Sequence, residues 1–309
     1  MLEAGMLIAA LLLDLAFGEP PTTYHPVGWM GRLVAALERP PIRDVKLQLG
    51  YGAAMVMVGV LVFAGPAWLL LGHLRQTSPL AYFVLGTLLL KSTFSVKALF
   101  VSAESVRRSL LEGRLDRARA GLRSLASRDA TQLGEPEVVA ATVESVAENS
   151  SDSFVAPVFY FLLFGVPGAL AYRVVNTFDA MVGYHGRYEY LGKPAARLDD
   201  LANLIPARLT GLLLVAASFL TAFSGRESWR TMWRYHAVTE SPNAGWPMSA
   251  MAGALSVQLE KIGHYRLGDG AAPLTQATIA EGIKLSAVGL GLAVSIIALG
   301  LVLKDGHLP

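Results

Sequence analysis

Six carboxylates, set among apolar stretches at helical spacings, are the residues of this chain best suited to chemistry. Glu144, Glu148 and Asp152 recur every four residues in E-S-V-A-E-N-S-S-D, so a helix there lines all three along one face. Like charges at that spacing repel, and acidic groups beside a bilayer-depth segment are costly. The pattern therefore asks for a cation to meet them. Asn149, Ser150 and Ser151 add neutral oxygens. Hard oxygen donors suit Mg²⁺, which is usually held by one or two carboxylates plus a substrate phosphate. A solvated acidic helix face is the ordinary alternative.

Three further clusters share this character. In R-V-V-N-T-F-D-A-M-V-G-Y, Arg173, Asn176 and Asp179 fall on one helical face, the amide and carboxylate as oxygen ligands and the guanidinium as a bidentate anion holder. A structural ion pair of Arg173 with a nearby carboxylate is the alternative. In A-R-L-D-D-L-A-N-L-I-P-A-R, Asp199 and Asp200 stand side by side with Asn203 one turn later, and Arg197 and Arg208 bracket them, a pattern suited to cation-bound phosphate. Near the N-terminus, D-L-A-F-G-E-P precedes Y-H-P-V-G-W-M-G-R, a tight loop in which His25 either serves a phosphate or a proton transfer, or simply orients the chain. Downstream, S-P-N-A-G-W-P-M forms a rigid loop carrying Asn243 that could close over a ligand. No Walker A motif is present.

The elements that must position these groups are membrane helices. With 53% hydrophobic and 16% charged residues and a mean hydropathy of +0.45, the chain is too apolar for an ordinary soluble domain. Tyr51 to Leu71 carries no charge and is long enough to span a bilayer, and Ile283 to Leu303 spans equally well. Leu80 to Val101, interrupted by Lys91 and Lys97, and Ala207 to Phe223 are further candidates. Gly5 to Phe17 lacks the basic leader and cleavage site of a signal peptide and reads as a short membrane helix with a buried carboxylate, Asp14. Phe154 to Tyr172 is broken by G-V-P-G, which predicts two half-helices that enter and return, bringing Arg173, Asn176 and Asp179 to the level of the acidic helix. A single helix with a proline kink is the alternative. Arginines over 102–128 (Arg107, Arg108, Arg114, Arg117, Arg119, Arg123 and Arg128) and Arg32, Arg39, Arg43 and Lys46 predict that residues 32–50 and 102–153 are cytoplasmic. The expected fold is thus an all-α polytopic membrane protein, a single domain over 1–309, with short or re-entrant helices and an amphipathic helical segment on the cytoplasmic side. No concentrated basic tract suggests nucleic acid, and without cysteine there is neither disulfide nor thiolate metal site.

Taken in order, D-x-x-x-G-E-P, H-P-V, E-S-V-A-E-N-S-S-D, R-x-x-N-T-x-D-A-M-V-G-Y, A-R-L-D-D-L-x-N-x-x-P-A-R and S-P-N-A-G-W-P-M make the chain resemble the CobD/CbiB family from about Leu11 to Gly268. Its members are the integral-membrane adenosylcobinamide-phosphate synthases of cobalamin biosynthesis. Ser150 stands where a threonine is common, which keeps the hydroxyl. The resemblance implies a ligase that joins a propionate carboxylate of adenosylcobyric acid to (R)-1-aminopropan-2-ol or its O-phosphate. Carboxylate and amine do not condense unaided in water, so it also implies acyl activation by ATP. Glu144, Glu148, Asp152, Asp179, Asp199 and Asp200 are then candidates to hold Mg²⁺ on the nucleotide, one carboxylate taking the proton of the attacking amine. His25, Asn149, Arg173, Asn176, Lys193, Arg197, Asn203, Arg208 and Asn243 are candidates for substrate and phosphate, and Trp29 and Trp246 for the corrinoid's entry. Membrane lipid and other membrane-bound enzymes of the pathway are the implied partners. Two other classes compete. A Mg²⁺-dependent intramembrane prenyltransferase would need a second aspartate-rich motif facing Asp199 and Asp200. A corrinoid or small-molecule transporter fits poorly with the lack of an internal repeat.

Overall fold

The computed structural model describes residues 1–38, 44–126, 129–184, 186 and 188–306. Arg39, Arg43 and Arg128, three of the arginines behind the cytoplasmic assignment, lie outside these. The first six helices are α1 (Leu2–Phe17), α2 (Pro26–Leu37), α3 (Val45–Thr77), α4 (Pro79–Lys91), α5 (Val96–Leu111) and α6 (Leu115–Leu122). There follow α7 (Glu135–Ser150), a π turn (Ser151–Val155), α8 (Ala156–Val182), α9 (Lys193–Leu220), α10 (Gly225–Tyr235) and α11 (Gly245–Leu255). A short antiparallel pair, β1 (Leu259–Lys261) and β2 (Tyr265–Leu267), precedes α12 (Gln276–Gly306). The fold is all-α, as expected, apart from that ladder.

Among the described residues five helical stretches, 45–77, 79–111, 135–182, 193–220 and 276–304, are long and apolar enough to cross a membrane. Two of them are interrupted. The single span expected over Leu80 to Val101 is two helices, because Ser92 Oγ donates to the Leu89 carbonyl and Thr93 Oγ1 to that of Leu90, each at 2.7 Å. Those hydroxyls satisfy the last carbonyls of α4 and stop it. The segment around Trp246 to Leu259 contains α11, whose eleven residues reach only about 16 Å, too short to cross.

By its contacts the chain forms two compact units. The first comprises 1–95, 156–203 and 296 onward, and the second 96–155 and 204–295. In the first unit α1 packs on α4, and α8 lies against α2, α3 and α4. Gly165 sits inside α8 at φ 67°, ψ −163°, a backbone state essentially closed to other residues. There the chain reverses. Tyr160 and Tyr172 would be about 18 Å apart along a straight helix, yet their rings stack with centroids 5.3 Å apart and planes 14° from parallel. The broken-helix expectation at G-V-P-G therefore describes the backbone better than a proline kink. The exposed apolar tip carries Leu163 and Phe164.

In the second unit α7 is the central element. Residues 138–147 are all buried, so this helix is enclosed on every side rather than amphipathic. Its neighbours are α5, α6, α11 and β1. Val139, Val143, Met232, Met248, Met251 and Leu285 belong to its core. The small residues of α11 let α10 come close, and Ser228 Oγ donates to the Ala250 carbonyl at 2.8 Å.

Candidate functional site

The R-x-x-N and D-x-x-x-N spacings of α8 and α9 become a single hydrogen-bonded chain in the first unit. Arg173 Nη1 donates to Asn176 Oδ1 at 3.2 Å, and Asn176 Nδ2 to Asp199 Oδ1 at 3.2 Å. Asn203 Nδ2 donates to Asp199 Oδ2 at 2.9 Å, while Tyr172 OH donates to Asn203 Oδ1 at 2.9 Å. Each amide gives with its nitrogen and accepts with its oxygen, so one orientation of both asparagines satisfies the whole chain. Asp199 is its centre. Asp200 lies 3.7 Å from Arg197, whose side chain is 72% exposed, and that approach by itself is worth little. Lys193 is exposed, 6.0 Å from the Tyr190 ring, and Asp179 packs against Gly183. Arg173, Asn176, Asp199 and Asn203 are thus joined, with Tyr172 as a member the spacing did not single out.

On the other side of Arg173 and Asn176 lies a cavity of about 460 Å³, also lined by Glu19, His25, Ser92 and Ser95. Sequence reasoning named His25 here and missed its neighbours. Lys91 Nζ is 2.6 Å from Glu19 Oε1 and 3.0 Å from Asp14 Oδ1, and His25 Nε2 is 2.6 Å from Glu19 Oε2. Asp14 is fully buried, as expected, and Lys91 nearly so. Burial alone would push the Glu19 carboxyl up, but hydrogen bonds from His25 and Lys91 and the charge on Lys91 outweigh it and hold the group at about 2. His25 Nδ1 accepts from the Val27 N–H at 3.1 Å, capping α2. With Nδ1 accepting, the ring proton sits on Nε2 and the ring is neutral. His25 therefore both orients the loop and borders the cavity. Gly28 cannot be replaced cheaply, because a Cβ there would lie 2.2 Å from the Thr22 carbonyl oxygen. The legible signal for Glu19 and Lys91 was a lysine within an apolar stretch, which has to find a carboxylate.

In the second unit Glu144 is buried at 1% exposure, which excludes a solvated face for that carboxylate. Glu148 and Asn149 are partly buried, and Asn149 Nδ2 donates to the Ser145 carbonyl at 2.9 Å. The α-helix ends at Ser150, and Asp152 lies in the π turn, a wider turn of the kind that often marks functional sites. The four-residue register thus holds from Glu144 to Glu148 and is offset at Asp152. Elsewhere in this unit Arg208 Nη1 donates to the Leu204 carbonyl at 2.6 Å and lies 3.4 Å from Asn243 Oδ1. Its guanidinium sits 4.8 Å from the centre of the Trp246 ring, which packs in turn on His236 and Trp233. Arg208, Asn243 and Trp246 are thus brought together from α9, the turn before α11 and the first turn of α11; the expected S-P-N-A-G-W-P-M loop is a loop only through Ala244, and Gly245 onward is helix.

A model of the family described as CobD/Cbib protein matches residues 7–286. The chain belongs to the CobD/CbiB family. It is 50% identical to the cobalamin biosynthesis protein CobD of Dehalococcoides mccartyi (strain CBDB1) over 273 residues, which cover 88% of this chain and 89% of the relative. To the probable cobalamin biosynthesis protein CobD of Methanothermobacter thermautotrophicus it is 42% identical over 294 residues, 94% and 95% of the two chains. To the cobalamin biosynthesis protein CbiB of Salmonella typhi it is 36% identical over 300 residues, 93% and 94% of the two. No solved structure matches it.

Every cluster described above lies within the stretch matched by the CobD/CbiB model. Among the described residues, no three histidine, aspartate or glutamate side chains stand together so as to hold a metal ion. An all-protein cage is therefore not what these carboxylates form. Mg²⁺ ordinarily keeps waters and takes one or two carboxylates together with a phosphate. Asp199, with one amide donor on each oxygen, retains acceptor capacity on both. Such a donor set fits an ion carried in on a phosphate.

Proposed function

We propose that this CobD/CbiB member acts in cobalamin biosynthesis, as an amide-forming ligase in the cell membrane. A propionate carboxylate of adenosylcobyric acid is activated by phosphoryl transfer from ATP, releasing ADP. The amine of (R)-1-aminopropan-2-ol or of its O-phosphate then attacks the acyl carbon, phosphate leaves, and a carboxylate of the protein takes the amine's proton. The observation that carries this reading is the family match over 7–286, which takes in each of the site clusters described above.

The chain's own residues have distinct tasks. Arg173 and Arg208, each with a preset partner, are suited to hold oxyanions, and Arg197 and Lys193 add positive charge where α9 begins. Asn176 and Asn203 fix the rotamer of Asp199, so that its carboxylate keeps one orientation through turnover. Glu144, Glu148, Asp152, Asp179, Asp199 and Asp200 are the pool from which the proton acceptor and the ion's ligands come. When bound, Mg²⁺ would neutralise charge on the transferring phosphoryl group. Trp246 is buried, its ring packed by Arg208, His236 and Trp233, so of the two tryptophans named for the corrinoid it is Trp29, 44% exposed, that is open to a large, partly apolar substrate.

The test is incubation of detergent-purified protein with adenosylcobyric acid, aminopropanol phosphate, ATP and Mg²⁺. A product whose mass equals the two substrates less water is expected, and its formation should stop when ATP is omitted. Unchanged corrinoid throughout would overturn the ligase reading. Uptake of corrinoid by proteoliposomes without covalent product would favour a transporter instead.

A further inference from the structure

Glu19, on the wall of the cavity between the N-terminal loop and α8, carries charge that the ligase reading has not used, with Asp14 and Lys91 buried behind it. Asp14, Glu19 and Lys91 come from α1, the loop after it and α4, all set among apolar helices. Ionisable groups at such depth cost several kcal/mol to desolvate (an order-of-magnitude figure), so they persist where they serve a function. One ammonium, that of Lys91, serves two carboxylates. His25 cannot add a second positive charge without releasing the Val27 N–H that its Nδ1 accepts. Of Asp14, Glu19 and Lys91, it is Glu19 that lines the cavity and presents its carboxylate there. Glu19 is 28% exposed, and each of its oxygens keeps a lone pair beyond the contact it already makes. Arg173 and Asn176 face the same space from α8, with the hydroxyls of Ser92 and Ser95 on its rim. At about 460 Å³ the space lies low in the range of roughly 300–1,000 Å³ typical of small-molecule sites. It is far too small for a corrin ring with its side arms.

We infer that this cavity binds a small zwitterion, its ammonium at Glu19 and its phosphate or other oxyanion at Arg173, and is the amine-substrate subsite of the ligation. The assignment of the zwitterion as a substrate rests on the ligase reading; the binding itself does not. Glu19 is the specificity-determining residue, and His25 and Lys91 are positioning residues that fix its two oxygens. The corrinoid is held elsewhere.

Calorimetry on the full-length protein in detergent tests this with three probes: aminopropanol O-phosphate, free aminopropanol and inorganic phosphate. The zwitterion should bind about tenfold or more tighter than either half, as loss of one charge-assisted contact implies. Glu19→Gln should weaken it by a similar factor while leaving inorganic phosphate unaffected. Ala180→Leu fills the cavity from an exposed position on α8 and leaves the buried charges intact, so it tests the location even if Glu19→Gln folds poorly. It should weaken the zwitterion, yet leave corrinoid affinity, read from tryptophan fluorescence, within about twofold. Equal affinity for phosphate and zwitterion, or a zwitterion affinity untouched by Ala180→Leu, would overturn the inference. Amide formation with an unchanged amine KM in both variants would overturn the subsite and leave the ligase reading standing. The predicted binding pattern without any amide product would do the reverse.

Discussion

At the scale of single residues, the polar groups of this chain differ in how firmly the fold holds them. Asp199 is fixed by two amides, whereas Glu148 and Asp200 are only partly buried. If these last two serve the phosphoryl chemistry, Glu148→Ala and Asp200→Ala should each lower ligation by about 10²-fold or more while membrane insertion is unchanged. Near-wild-type turnover in product-mass assays would remove that residue from the site. Glu19 offers a pH test. Its carboxyl titrates near 4.5 in an unfolded chain and at about 2 in the fold, so it adds stability that is whole above 4.5 and lost as pH falls towards 2. That contribution is roughly 2 kcal/mol after discounting for the exposed part of the side chain. The Tm gap between wild type and Glu19→Gln should be widest near pH 6 and narrow by about pH 3. A gap constant across that range would mean the ion pairs do not stabilise the fold. Tautomer and capping at His25 show why residue type alone was ambiguous there. The same imidazole can serve a phosphate or a helix end, and only the position of the Val27 N–H decides.

At the scale of elements, breaks do more than lengths. The reversal at Gly165 sends the chain back so that Arg173 and Asn176 reach the cavity wall and the α9 carboxylate. Gly165→Ala places a side chain at φ 67° and should cost about 1–3 kcal/mol. Its signature should be a lowered Tm in detergent together with loss of the Tyr160–Tyr172 stacking, and an unaltered melting curve would argue against a strained reversal. G-V-P-G was legible because glycine and proline punctuate an apolar run in only a few ways. The stop after Lys91 was not legible. It depends on two hydroxyls folding back onto carbonyls and on a lysine drawn to Glu19 and Asp14, partners more than 70 residues away in sequence. The β1–β2 ladder also escaped notice, since three-residue strands carry too few residues for an alternating pattern.

At the scale of the whole molecule, the chain's lack of cysteine makes sidedness directly testable. Arg117 on α6 is 64% exposed and makes only a 3.8 Å approach to Glu112, so Arg117→Cys should cost little stability. If residues 102–153 are cytoplasmic, an impermeant maleimide should label that cysteine only after the membrane is opened. Labelling of intact cells would reverse the orientation. The sequence by itself determined the membrane class, the helical fold and the family, because each follows from local quantities: runs of apolar residues, punctuation by glycine and proline, and ordered motifs. It also picked out most of the groups that meet in the Arg173–Asn176–Asp199–Asn203 chain, since i, i+3 and i, i+4 spacings survive folding. Only the tertiary structure decided which separate segments share a wall. The pairing of Asp14 and Glu19 with Lys91, the neutral ring of His25 and the enclosure of Glu144 depend on what surrounds a charge once water is gone. Desolvation is a property of neighbours in space, and no reading along one chain can supply it.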